Sequence, residues 1–215
     1  MAALLAICIA ALVLSLGAAA DVRVTKAKAE VAEKYFDPNN KPKEMPELHG
    51  REEAVCQSKF GVATEFQVAI VDEQRGEDGA VSKVRVVSVI ARLTLQTTAW
   101  LPNGGGDAVK AHEAGHSRIA QMHYKDADEQ ARKLAQKYIG RTLTGKGDTV
   151  EAARRDAIAK ANQELCAAYL AAVERPSARV NDLFDEITSH GRRNIAEDEA
   201  IKQAFERYAK EKEKK

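Results

Sequence analysis

Cysteine is scarce in this chain: there are three in 215 residues. Cys8 falls in an apolar N-terminal stretch, and the other two, Cys56 and Cys166, stand far apart. Neither spacing makes a metal-binding cysteine pair or a dithiol redox motif. Charge of one sign is lacking too, since 33 Lys and Arg against 32 Asp and Glu leave a formal net charge of +1. So close a balance supplies no electrostatic reason to place nucleic acid or an anionic membrane among the partners. No segment repeats at solenoid length. The composition is that of an ordinary globular domain, and any function must be read from motifs.

The first twenty residues, MAALLAICIAALVLSLGAAA, contain no charged side chain. An apolar run from Leu4 to Leu16 leads into Ala18-Ala19-Ala20, which suits an A-x-A cleavage site. The run is short for a bilayer span of about twenty residues. Residues 1–20 are therefore expected to be a signal peptide. Residues 21–215 would then form one periplasmic or secreted domain with no membrane span after cleavage. Export makes the compartment oxidising. Cys56 and Cys166 are expected either to form one bridge or to pack as two buried thiols.

Residues 21–102 read as strand-rich. The segment 21–59 is polar and mixed, a short strand or helix followed by a Pro/Asn-rich loop. In "GVATEFQVAIV", Val62, Thr64, Phe66, Val68 and Ile70 alternate as one strand face. "RGEDGA" is a turn, and the β-branched run up to Trp100 is one long strand or two short ones. The fold class expected is α+β, with a small antiparallel sheet followed by a helical half over residues 103–215.

The period changes at "LPNGGGD", where Asp107 is expected to cap a helix. Val109, His112, His116, Ile119 and His123 then recur at spacings of three and four. This helix is expected to reach Tyr138-Ile139 and stop at Gly140. A second, capped by Asp148, should run to Val173 and stop before Pro176. A third, "ARVNDLFDEITSH", should stop at Gly191. The tail from Ile195 reads as a charged helix with a solvated end.

Within the first helix, "HEAGH" carries the chemistry. His112 and His116 are four residues apart, one turn on the same side, so both imidazoles can reach one ion. Glu113, rotated by one residue, misses the ion but can reach a water beside it, which suits a general base. The cofactor expected is Zn2+. His123 lies about 10 Å beyond His116 along a straight helix, at 1.5 Å per residue, and cannot join the same ion. Glu129 fails for the same reason, so the third ligand must come from another segment. His190 is the first choice and Asp185 the second, Asp185 being able instead to orient a histidine. Glu151 is a poorer option, and His49, isolated in a Pro-rich loop, is left as a surface residue. For the oxyanion, Arg192, Arg193 and several tyrosines are available, and no spacing selects among them.

"LPNGGGDAVKAHEAGHSRIA" followed by "FDEITSHG" resembles the bacterial secreted zinc-dependent protease family known as domain of unknown function 922. The resemblance covers Trp100 to Gly191. His112, Glu113, Gly115 and His116 match its first motif, and Asp185, Thr188, His190 and Gly191 match its second. Phe184 stands where the family pattern has tyrosine. The resemblance implies an exported zinc peptidase acting on a peptide or protein substrate, with Glu113 as base. A zinc amidase acting on cell-wall peptides would share the site. The rival from another class is a non-catalytic envelope protein, a helical module that binds a partner.

Overall fold

A computed structural model describes residues 21–48 and 52–214. The expected signal peptide, residues 1–20, and His49 lie outside the described residues. The elements in chain order are β1 (Asp21–Lys26), β2 (Glu30–Phe36), β3 (Val55–Gly76), β4 (Gly79–Pro102), α1 (Asp107–Tyr124), α2 (Ala127–Gln136), β5 (Thr142–Gly147), α3 (Val150–Thr188) and α4 (Glu197–Glu213). The protein is a mixed α/β structure with one sheet and helices packed on it.

β4 is a single strand of 24 residues and forms the spine of the sheet. β3 pairs antiparallel along one edge, from Val55 opposite Trp100 to Gly76 opposite Gly79. Three short strands cover the other edge end to end: β5 opposite Ala80–Arg85, β1 opposite Ser88–Leu93 and β2 opposite Gln96–Pro102. The expectation of a purely antiparallel sheet is corrected here. β1 and β2 run parallel to β4, because one extended N-terminal segment follows the spine in its own direction. The sheet also draws β5 from the half expected to be only helical. β2 is exposed at every residue but its last, so no alternation marked it in the sequence.

Gln67 faces Ser88 while Val68 faces Val86, so Val87 is an extra residue in the ladder. Such a bulge moves the strand by one residue and exchanges its two faces. Burial follows the exchange: Ser82, Val84 and Val86 are inside before it, and Val89, Ala91, Leu93 and Leu95 after it. On β3 the expected face keeps Phe66 buried, but beyond the bulge Ile70 is 55% exposed.

One face of the sheet carries the helices. Val84, Val86 and Val89 pack with Tyr138, Ala157, Ala161 and Leu165. Ala91, Leu93 and Leu95 pack with Tyr124, Ala131, Tyr169 and Val173. The helix boundaries differ from expectation at several points. Gly106, not Asp107, is the N-cap of α1. The helix expected to reach Tyr138-Ile139 breaks after Tyr124, and the chain turns so that Ala127, Ala131 and Ala135 face inward on α2. Thr149, not Asp148, caps α3, its side chain accepting from the Ala152 N–H at 3.1 Å.

The second and third expected helices are one helix of 39 residues with Pro176 inside it. A proline there costs about 3 kcal/mol through a lost hydrogen bond and a carbonyl clash. Beyond it, Val180, Leu183 and Ile187 are buried, at about 1.5–3 kcal/mol each. Burial of that stripe outweighs the proline and carries the helix through.

No disulfide joins Cys56 and Cys166, which are free thiols. Cys56 Sγ lies 3.3 Å from Ser117 Oγ, while Cys166 Sγ reaches the Val62 carbonyl at 3.7 Å. Cys56 and Val62 are six residues apart on one strand, about 20 Å at 3.3 Å per residue, far beyond the reach of an S–S bond. Among the described residues, no helix is long and apolar enough to cross a membrane.

Candidate metal centre

α1 crosses the last third of α3, and the crossing is set by a glycine. A Cβ on Gly115 would stand 2.6 Å from Phe184 Cζ. Lacking one, α1 admits the Phe184 ring, which is 1% exposed. That ring stacks on His112 at 5.0 Å and 12°, and meets His116 edge-on at 5.1 Å. α4 closes the arrangement from outside, with Ile119, Leu183, Phe184 and Ile187 packed against Ala200, Ile201 and Ala204. The two histidines are therefore held from behind by an apolar wall.

Their nitrogens converge with a carboxylate. His112 Nε2 lies 3.1 Å from Asp185 Oδ1 and 3.2 Å from His116 Nε2. His116 Nε2 in turn lies 3.2 Å from Asp185 Oδ1. Three ligands at about 2.0–2.1 Å from one tetrahedral ion stand about 3.3–3.4 Å apart, so the triangle is close to that of a metal site. His112, His116 and Asp185 form a group that can hold a metal ion.

The donor chemistry points the same way. His116 Nδ1 donates to Asn181 Oδ1 at 2.8 Å. Asn181 Nδ2 donates to the Ser177 carbonyl at 2.9 Å, which fixes which end of the amide meets the imidazole. With Nδ1 carrying the proton, the neutral ring directs its Nε2 lone pair at His112 and Asp185. Three electron-rich atoms at this separation repel unless a proton or cation sits among them. Burial pulls the His116 pKa down, but Asp185, Glu113 and Asn181 outweigh it and hold the imidazole above its usual value. Burial likewise works to raise the Asp185 pKa, and the two histidines overcome it and hold the carboxyl well below the usual carboxylate range.

Glu113 is 4% exposed. The Cys56 backbone N–H bonds its carboxylate, while Oε2 has no hydrogen-bond partner among the described residues. Burial first, opposed by His116 and reinforced by Asp185 and Glu52, pushes its pKa up to about 7. A cation bound beside it pulls that value back down. Glu113, the two histidines and Asp185 all line one cleft of about 340 Å³ between α3 and the start of β3.

Of the two candidates for a third ligand, the structure brings Asp185 rather than His190 up to both histidine nitrogens. Asp185 belongs to the group of three. His190 stands at its rim, 47% exposed, with Nδ1 3.5 Å from Asp185 Oδ1 and 3.6 Å from Glu52 Oε1. The chain leaves α3 through three successive left-handed residues, Ser189, His190 and Gly191, with φ of 53°, 54° and 75°. Gly191 is required there twice over, because a Cβ would also stand 3.0 Å from His112 Cγ.

The other candidates lie elsewhere. His123 stacks on Phe205 at 5.2 Å, and Glu129 pairs with Lys133. Glu151 sits at the far end of α3, about 50 Å from Asp185 at 1.5 Å per residue. Arg192 lines the cleft, while Arg193 turns away to the Ile187 carbonyl. Phe184 does not line it, so a tyrosine hydroxyl at that position would lie behind the ligands rather than in the cleft.

Asn181 and Glu52 were not singled out from sequence. Asn181 had a legible signal, one turn before Asp185 on the same helix face. Glu52 had none, since it reaches the site from the loop that precedes β3.

Comparison of the chain with protein-family models, with curated proteins and with solved structures finds no match.

Proposed function

We propose that this chain is an exported zinc-dependent peptidase whose metal is held by His112, His116 and Asp185. The observation that carries the reading is the pairing of that triangle with a buried carboxylate that lines the same cleft and has one oxygen unpartnered among the described residues. Two histidines and one carboxylate also suit non-haem iron. A buried base beside the group favours hydrolysis.

Zinc, when bound, supplies a Lewis acid and lowers the pKa of water to about 7. Glu113 takes the proton from the attacking water and returns it to the leaving amine. Asn181 keeps the His116 Nε2 lone pair directed into the group. Phe184 and Gly191 hold the His112 ring in plane. His190 and Arg192, both at the cleft, are the available donors to the carbonyl oxygen as it gains charge.

The resemblance to domain of unknown function 922 supports this reading through its motifs, and the apolar N-terminus supports export. The reading is tested with Glu113→Gln in zinc-replete protein. Hydrolysis of casein or a mixed peptide library should fall by at least about a hundredfold, with one metal per chain retained. Equal hydrolysis by the variant would remove Glu113 from the chemistry. No hydrolysis by the wild type in any such substrate would favour a metal-stabilised binding module.

A further inference from the structure

The cleft wall that continues beyond the metal group along α3 is acidic. From Asp185 the cleft-lining residues run back through Asp182, Asn181, Ala178 and Ser177 to Glu174. That is a separation of eleven positions along one helix, about 16 Å, the length of four or five residues of extended peptide. Across the cleft, Glu52 and Glu53 face this wall. Among the described residues that line the cleft, Arg192 is the one lysine or arginine against six carboxylates. The whole chain carries a net charge of only +1, so negative charge is concentrated in this cleft.

The carboxylates on α3 are poorly neutralised. Among the described residues, Asp182 has only Arg179, at 3.8 Å on an exposed surface, and no hydrogen bond or ion pair engages Glu174. Between them lies an independent sign of a missing ligand. Ser177 is 1% exposed and lines the cleft, yet its Oγ has no hydrogen-bond partner among the described residues. A buried hydroxyl left unpaired is destabilising, and a polar group seated in the cleft would satisfy it.

We propose that the cleft selects an extended peptide carrying a lysine or arginine side chain on the α3 side of the metal, recognised by Glu174 and Asp182, with Ser177 Oγ bonding the same segment. This rests on the peptidase reading and names its substrate class. Two partly shielded carboxylates acting on one cation suit a preference of about tenfold, weakened by salt because the attraction is screened.

The test compares matched peptides with Lys or Gln at each position flanking the scissile bond. The proteins assayed on them are wild type and the double variant Glu174→Gln/Asp182→Asn, both zinc-replete and with metal content measured. The wild type should favour the Lys peptide about tenfold in kcat/KM at one or more positions, and the double variant should bring the ratio to near one without losing metal. A wild-type ratio near one, or a preference that survives in the double variant, overturns the proposal. The same peptides are also titrated by fluorescence anisotropy into zinc-loaded Glu113→Gln protein. Charge-selective binding that is lost when Glu174→Gln/Asp182→Asn is added, while the wild type hydrolyses none of the peptides, upholds the subsite and removes the peptidase reading. Binding without charge selectivity removes the subsite.

Discussion

His116 Nδ1 lies 2.8 Å from Asn181 Oδ1, and the Asn181 amide is itself pinned by the Ser177 carbonyl. The proton on Nδ1 is thus assigned by a side chain that touches no ligand atom of the metal group. Replacing Asn181 with Leu frees the tautomer and leaves a buried N–H unpaired. Metal affinity should drop about 10–100-fold. Asn181→Asp keeps an acceptor at the same place and should hold affinity near wild type. Competition with a chromogenic zinc chelator measures both.

Gly115 reverses the usual rule for glycine in a helix. Alanine at an interior helix position ordinarily gains about 1 kcal/mol over glycine. Here the new methyl would stand 2.6 Å from Phe184 Cζ and 3.3 Å from Glu197 Cγ. Overpacking of this kind costs about 1–3 kcal/mol, so Gly115→Ala should destabilise. Adding Phe184→Leu to make room should recover part of the loss. Urea denaturation of the two variants shows the sign directly.

Acid should destabilise the contact between α1 and α4. Burial, helped by Lys212, pushes the His123 pKa from 6.5 down to about 4. Between those values the unfolded chain holds a proton that the folded chain does not, so stability rises with pH across that window. The contribution is complete above pH 6.5 and is lost as pH falls toward 4; the shift corresponds to about 3 kcal/mol, reduced to about 2 kcal/mol by solvent screening of the partly exposed ring. His123→Phe preserves the stacking on Phe205 and should flatten this limb of the stability curve, measured by denaturation at pH 4.5 and 7.5.

Much of the site was legible because its residues obey local spacing. His112, Glu113 and His116 sit on one helix, where a separation of four residues dictates a shared face, and Asp185 and Asn181 do the same on α3. The choice between Asp185 and His190 was not legible. It depends on the chain leaving α3 in left-handed conformation at Ser189, which carries His190 outward, and no pattern in "SHG" specifies that beyond the glycine. Pro176 misled in the opposite direction, since a local breaker was overridden by burial of Val180, Leu183 and Ile187. The parallel strands β1 and β2 were hidden because their side chains are mostly exposed and their partners lie nearly seventy residues away. Pairing with a spine strand across such distances leaves no periodic trace in the sequence.

The most direct test is metal content by elemental mass spectrometry on metal-replete protein, wild type beside His112→Ala, Asp185→Ala and His190→Ala. The account predicts one zinc per chain in wild type, none in His112→Ala or Asp185→Ala, and near-full retention in His190→Ala. Full zinc in Asp185→Ala with loss in His190→Ala would contradict the triangle, and a wild type without stoichiometric metal would contradict the centre altogether.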